Sequence, residues 1–81
     1  MKETEYFKHI RTRPDRKIIR DEWIELTIQE SEARQVQTDG RIRLWKRISA
    51  AEGRWLRVVL LNDGETVHNA FFDRRFKGEK Q

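Results

Sequence analysis

Apolar residues recur at helical spacing in the first half of the chain. Ile19, Trp23 and Leu26 form one stripe and Ile24 with Ile28 an adjoining one, which predicts helix over 14 to about 30 with a broad buried face. Pro14 suits a first helical turn and disfavours the α conformation at Arg13 before it. Asp21 is placed to cap a second helix after a break near Ile19 and Arg20, so the pattern leaves one helix or two open. Residues before Pro14 carry no decisive periodicity. After Ser31 the texture changes to short runs divided by turn dipeptides, which predicts four strands over 34–37, 41–48, 54–61 and 65–72. Their joints fall at Asp39-Gly40, at 50–53 and at Asp63-Gly64. The fold class that follows is α+β: an N-terminal helix or two short helices packed on one face of a four-stranded antiparallel β meander.

A slip of one residue moves every strand side chain to the opposite face, so the registers follow from asking which pairing keeps one face apolar. A two-residue Asp63-Gly64 turn pairs Leu60 with Val67, Val58 with Asn69 and Leu56 with Phe71. Ile48 then opposes Arg54, Leu44 meets Val58, and Ile42 meets Leu60. A three-residue Thr38-Asp39-Gly40 loop, with Gly40 supplying positive φ, sets Val36 opposite Ile42. The expected core face is Val36, Ile42, Leu44, Ile48, Leu56, Val58, Leu60, Val67 and Phe71, covered by Ile19, Trp23 and Leu26, with Lys46 and Asn69 as polar intrusions.

The opposite face of that sheet carries Arg43, Val59 and His68 in one row, Trp45, Arg57 and Ala70 in the next, and Arg47, Trp55 and Phe72 in a third, with Arg41 beyond. Diagonal neighbours on adjacent strands lie roughly 7–8 Å apart, so Arg43, Arg57 and His68 are expected to converge on one anionic group. Guanidinium forks match phosphate and indole rings stack on unpaired bases, so this face suits single-stranded RNA. His68 supplies a proton acceptor or donor near neutral pH, and the arginines supply cations for a phosphorane-like transition state. The bland reading is that the arginines solubilise the back of a one-sided sheet while Trp45 and Trp55 pack under their stems.

Composition narrows the setting. Of 81 residues, 36% are hydrophobic and 40% charged, so burial is concentrated in short patterned segments of a single domain, with ends expected to fray at about 1–4 and 77–81. The net charge of +4 is unevenly spread: residues 1–40 hold eight Lys or Arg against nine Asp or Glu, and residues 41–81 ten against five. The strand-rich half is therefore the basic one, and Arg74, Arg75 and Lys77 extend it past the last strand. Cysteine is absent, which excludes disulfides, thiolate zinc sites and a cysteine nucleophile. No metal or cofactor is expected, since His9 and His68 are far apart and the four glycines form no phosphate loop. No apolar run suggests a signal or membrane segment, and the expected location is cytoplasmic.

Taken together, His9, Arg13, Arg16 and the Ile18-Ile19 pair before Trp23-Ile24, followed by Asp39-Gly40-Arg41-Ile42-Arg43 and Arg57-Val58-Val59, resemble a family of small bacterial domains with short N-terminal helices and a C-terminal antiparallel sheet. In size and order of elements that family is similar to the RelE- and BrnT-type toxins of toxin–antitoxin systems, which cleave RNA with basic residues on the sheet. The resemblance implies an RNA-directed activity and an antitoxin as protein partner. The chain departs from the RelE pattern in lacking a C-terminal Tyr, since its only tyrosine is Tyr6. The leading expectation is a small RNA-interacting domain, in its catalytic version a metal-independent endoribonuclease using His68, Arg57 and Arg43. Arg41, Arg47, Trp45, Trp55, Arg74 and Arg75 are the expected nucleic-acid contacts. The alternative is a non-catalytic module whose Trp/Arg face binds a protein partner or a second copy of the chain.

Overall fold

The computed structural model describes residues 1–78. Three helices, α1 (Glu5–Ile10), α2 (Pro14–Lys17) and α3 (Asp21–Gln29), precede four strands, β1 (Ala33–Val36), β2 (Ile42–Ile48), β3 (Arg54–Leu60) and β4 (Val67–Phe72). The strands form one antiparallel sheet in the order β1-β2-β3-β4, so the fold is α+β as the patterning predicts. No helix is long and apolar enough to cross a membrane among the described residues.

The predicted helical stretch is broken at Arg20, whose extended backbone (ψ 147°) separates α2 from α3. Asp21, expected as the cap, is instead the first helical residue. Together with Glu22 it places negative charge at the positive end of the helix dipole. The additional helix α1 starts at Thr4, whose hydroxyl accepts the Phe7 N–H at 3.0 Å and so satisfies one of the orphan donors of the first turn. Within the N-terminal end expected to fray, residues 2–4 lie along β4: Glu3 bridges to Val67, with Val67 N–H donating to Lys2 O and Thr4 N–H to Val67 O. Of the expected C-terminal fray, Lys77 and Gly78 are described and 79–81 lie outside the described residues.

Between β1, β2 and β3 the expected registers hold: Val36 faces Ile42, Ile42 faces Leu60, Leu44 faces Val58 and Ile48 faces Arg54. Leu60 also faces Val67 as predicted. Beyond that pair a β-bulge inserts His68 without a partner, and the register of β4 shifts by one, so that Val58 faces Ala70 and Leu56 faces Phe72. Strict alternation would have buried Asn69 and Phe71. The bulge instead turns Ala70 and Phe72 toward the core and Asn69 and Phe71 away from it.

The core is built from Phe7, Ile10, Ile19, Ile24, Leu44, Ile48, Ala51, Leu56, Val58, Leu60, Val67 and Ala70, with Trp23, Ile28, Ile42 and Phe72 packed at its margin. Three expected members are therefore corrected. Phe71 belongs to the opposite face because of the bulge, Val36 is 53% exposed because β1 is an edge strand while the helices pack on β2, β3 and β4, and Leu26 is only half-buried while Ile24 turns fully inward. Lys46 does lie beside the apolar face, where its ammonium meets Glu32 at 3.6 Å and Glu30 at 4.0 Å at the end of α3. Thr27, fully buried, is satisfied by donating its hydroxyl hydrogen to Trp23 O at 2.8 Å.

Candidate functional site

On the face turned away from α3 the rows are Arg43, Val59 and Asn69, then Trp45, Arg57 and Phe71, with Arg47 beside Trp55 beyond. This face is not an open indole surface. The segment after β4 folds back across it: Phe76 stacks on Trp45 with ring centroids 4.6 Å apart and planes 10° from parallel, and meets Trp55 edge-on at 4.9 Å. Trp45, expected as a nucleic-acid contact, is 6% exposed as a result, and Trp55 is half-buried. Gly78 completes the cover in a left-handed conformation (φ 87°); a Cβ there would stand 3.2 Å from the Trp55 ring.

Asp73 fastens this segment. Its carboxylate accepts the Trp45 indole N–H at 3.0 Å and an Arg57 Nη1–H at 3.2 Å on one oxygen, and the Arg75 backbone N–H at 3.1 Å on the other. Burial by itself would raise the Asp73 pKa. The hydrogen bonds from Trp45, Arg57 and Arg75 and the Arg57 charge outweigh it and hold the carboxyl below its ordinary value. Arg57 lies between rings as well, its guanidinium carbon 4.9 Å from the Phe71 centroid and 5.7 Å from that of Trp45, while its Nε is buried without a hydrogen-bond partner.

Arg43, Arg57 and His68 do not share a focus. Arg43 reaches toward β1, donating to Gln37 at 3.1 Å and Gln35 at 3.2 Å, whereas Arg57 is held by Asp73. His68, at the bulge, turns to the N-terminal segment: its Nδ1 is 3.2 Å from the Thr4 hydroxyl and its ring stacks on Tyr6 at 4.9 Å. A neutral ring that accepts from Thr4 at Nδ1 carries its own proton at Nε2. Burial pushes the imidazole pKa below its ordinary value, and the charge of Arg41 adds to the effect. Arg41 pairs loosely with Asp39 at 3.8 Å, and Arg47 donates through Nε to Gly53 O at 3.0 Å.

The depressed His68 pKa carries a pH signature. The folded chain binds fewer protons at this site than the unfolded chain, so the stability it contributes is present above the ordinary imidazole value and is lost as pH falls through the folded value. A two-dimensional NMR titration is expected to give a His68 midpoint below about 6.5. Urea melts at pH 7.5 and 5 are expected to differ more for the natural chain than for His68→Gln. A midpoint at or above 6.5 would contradict this placement of the ring.

A concavity lies where β3 starts and β4 ends, against α2. It measures about 570 Å³, and Trp55, Phe71, Phe72 and Phe76 form its aromatic wall. Three guanidinium groups stand on its lining. Arg54 lies over the Phe72 ring at 4.1 Å and donates through Nε to Ala51 O, leaving both terminal nitrogens without a partner among the described residues. Arg16 donates through Nη1 to Asn69 Oδ1 at 2.8 Å and stacks on Phe71 at 5.3 Å. Its buried Nε, 3.4 Å from Asp15 Oδ2, makes no hydrogen bond. Arg74 is exposed and has no carboxylate partner among the described residues. Of the two acids of the lining, Asp73 is engaged by Trp45 and Arg57, while Asp15 is largely exposed and only 3.4 Å from the Arg16 Nε, so the lining holds three guanidinium groups against two carboxylates.

Of the expected contacts, Trp55 and Arg74 thus meet at this pocket, while Arg16, Arg54, Phe71 and Phe76 join them without having been expected. The basic character of α2, with Arg13, Arg16 and Lys17 in five residues, was the one sequence signal for its involvement. Among the described residues no three His, Asp or Glu side chains stand together as a metal site would require. Comparison of the chain with protein-family profiles, with curated proteins and with solved structures finds no match.

Proposed function

We propose that this domain binds single-stranded RNA across the end of the molecule where α2, the start of β3 and the segment after β4 meet. The observation that carries the reading is the company of exposed cations and aromatic rings there. Arg13 before α2, Lys17 at its end, and Arg74, Arg75 and Lys77 after β4 are exposed without carboxylate partners among the described residues, and α2 packs on β4 beside the aromatic pocket. Cations in such a row neutralise successive phosphates, and rings beside them accept unpaired bases without regard to sequence. The densest acidic stretch lies elsewhere: five acids fall between Asp21 and Glu32, on α3 and the connection to β1.

Fluorescence anisotropy with a labelled unstructured RNA of about a dozen nucleotides tests the reading. Binding is expected to weaken steeply with salt, log K falling by roughly 0.7 per phosphate neutralised for each tenfold rise in salt. Arg75→Ala with Lys77→Ala is expected to reduce that slope by roughly 1.4, the value for two lost phosphate contacts. No binding at low salt would overturn the proposal. Shortening of the RNA in the presence of chelator, lost in His68→Ala, would extend it to metal-independent cleavage.

A further inference from the structure

We infer that the pocket between α2 and the ends of β3 and β4 is a seat for one nucleotide, its base among the aromatic rings and its phosphate on Arg54 and Arg74. The inference deepens the RNA reading and rests on it for the source of the nucleotide, though the pocket chemistry is independent of any longer strand.

Size sets the first limit. About 570 Å³ lies within the usual range of roughly 300–1,000 Å³ for small-molecule sites and suits one base with its sugar. The character of the wall sets the second. Trp55 and Phe76 stand edge to face and Phe71 is backed by two guanidinium groups, so the interior favours a flat, polarisable ring. An aliphatic ligand would gain burial there without using the geometry.

The third limit is charge. Arg54 keeps both terminal nitrogens uncommitted, but its position is fixed by the Nε bond to Ala51 O and by stacking on Phe72, so little ordering remains when an anion arrives. Arg74 adds a second cation on the same lining, and two forks beside an aromatic cleft match a phosphate joined to a base. Arg16 is bound to Asn69 and Asp15 and acts here as wall. A strand terminus or a free mononucleotide presents this combination directly, and an internal residue presents it when turned out of the strand.

Isothermal titration of the full chain with a 5′-mononucleotide, the matching nucleoside and inorganic phosphate separates the contributions. The mononucleotide is expected to bind at least tenfold more tightly than either fragment. Arg54→Gln is expected to weaken it about tenfold or more, and Trp55→Leu to do likewise, with circular dichroism confirming that each variant stays folded. An RNA carrying a 5′-phosphate is expected to outcompete the same RNA without one if the seat takes a terminus, and to compete equally if it takes an internal residue. The inference is overturned if the mononucleotide binds no better than phosphate, or if folded Arg54→Gln binds it unchanged. RNA binding that persists in either case leaves the RNA reading standing, and mononucleotide binding without RNA binding removes that reading while the seat remains.

Discussion

Phe7→Ala is expected to lower the unfolding free energy by about 3–5 kcal/mol, the usual cost of removing a large aromatic side chain from a packed interior. Phe7 is 1% exposed, sits in the core cluster with Ile10, and joins α1 to β4. Small domains bury a low fraction of their surface and typically hold about 5–15 kcal/mol in all, so the variant is expected to be partly unfolded at 37 °C. The neighbouring Tyr6→Ala supplies the contrast. Tyr6 is 49% exposed and stacks only on His68, so its loss is expected to cost about 1 kcal/mol or less. Urea melts of the two variants check the pair: similar midpoints would mean that α1 is not part of the cooperative core.

Asp73→Ala is expected to cost about 2–3 kcal/mol at neutral pH and to release the C-terminal segment from the sheet. The substitution removes the acceptor of the Trp45 indole and the counter-charge of Arg57, leaving a buried indole N–H and a half-buried guanidinium without that partner. The exposure of Arg57, 23% at the side chain, keeps the cost below that of a fully buried pair. Because the folded Asp73 pKa is depressed, the interaction is complete above the unfolded carboxyl range and is lost as pH falls through the folded value. The natural chain is therefore expected to lose stability in that acid range, and Asp73→Ala to lose less there. A red shift of the tryptophan emission in the folded variant reports the loss of Phe76 from Trp45. Asp73→Asn keeps an acceptor for the indole and is expected to fall between the two. An unchanged emission maximum in folded Asp73→Ala would show that Phe76 stays on its own.

Asp63 adds a separate acid-sensitive contact at the β3–β4 turn. Its carboxylate accepts from the Thr66 hydroxyl at 2.6 Å and from the backbone N–H groups of Thr66 and Glu65, which push its pKa down to about 2. That turn was legible in the sequence because Asp and Gly each supply a local requirement, a side-chain acceptor and a positive φ. The same locality explains why two of the three strand registers were legible. Turn length and one-face hydrophobicity are both written in adjacent residues, and they agree from Val36 through Leu60. The bulge at His68 broke the rule because two long-range contacts stabilise it: Lys2 and Thr4 bond Val67 along its outer edge, and Arg16 provides a partner for Asn69 on the far face.

The alternation along the strands, the helix-starting Pro14 and the turn residues by themselves determined the fold class, the strand order and the basic character of the C-terminal half, because each depends on neighbours within a few residues. Tertiary structure decided which arginines are available. Arg43 and Arg57 are consumed by Gln35, Gln37 and Asp73, while Arg54 and Arg74 are left beside a cleft, since a guanidinium group's commitments depend on what folds next to it. It also decided that Trp45 is covered, because Phe76, 31 residues further along, stacks on it only when Asp73 turns the chain back across the sheet.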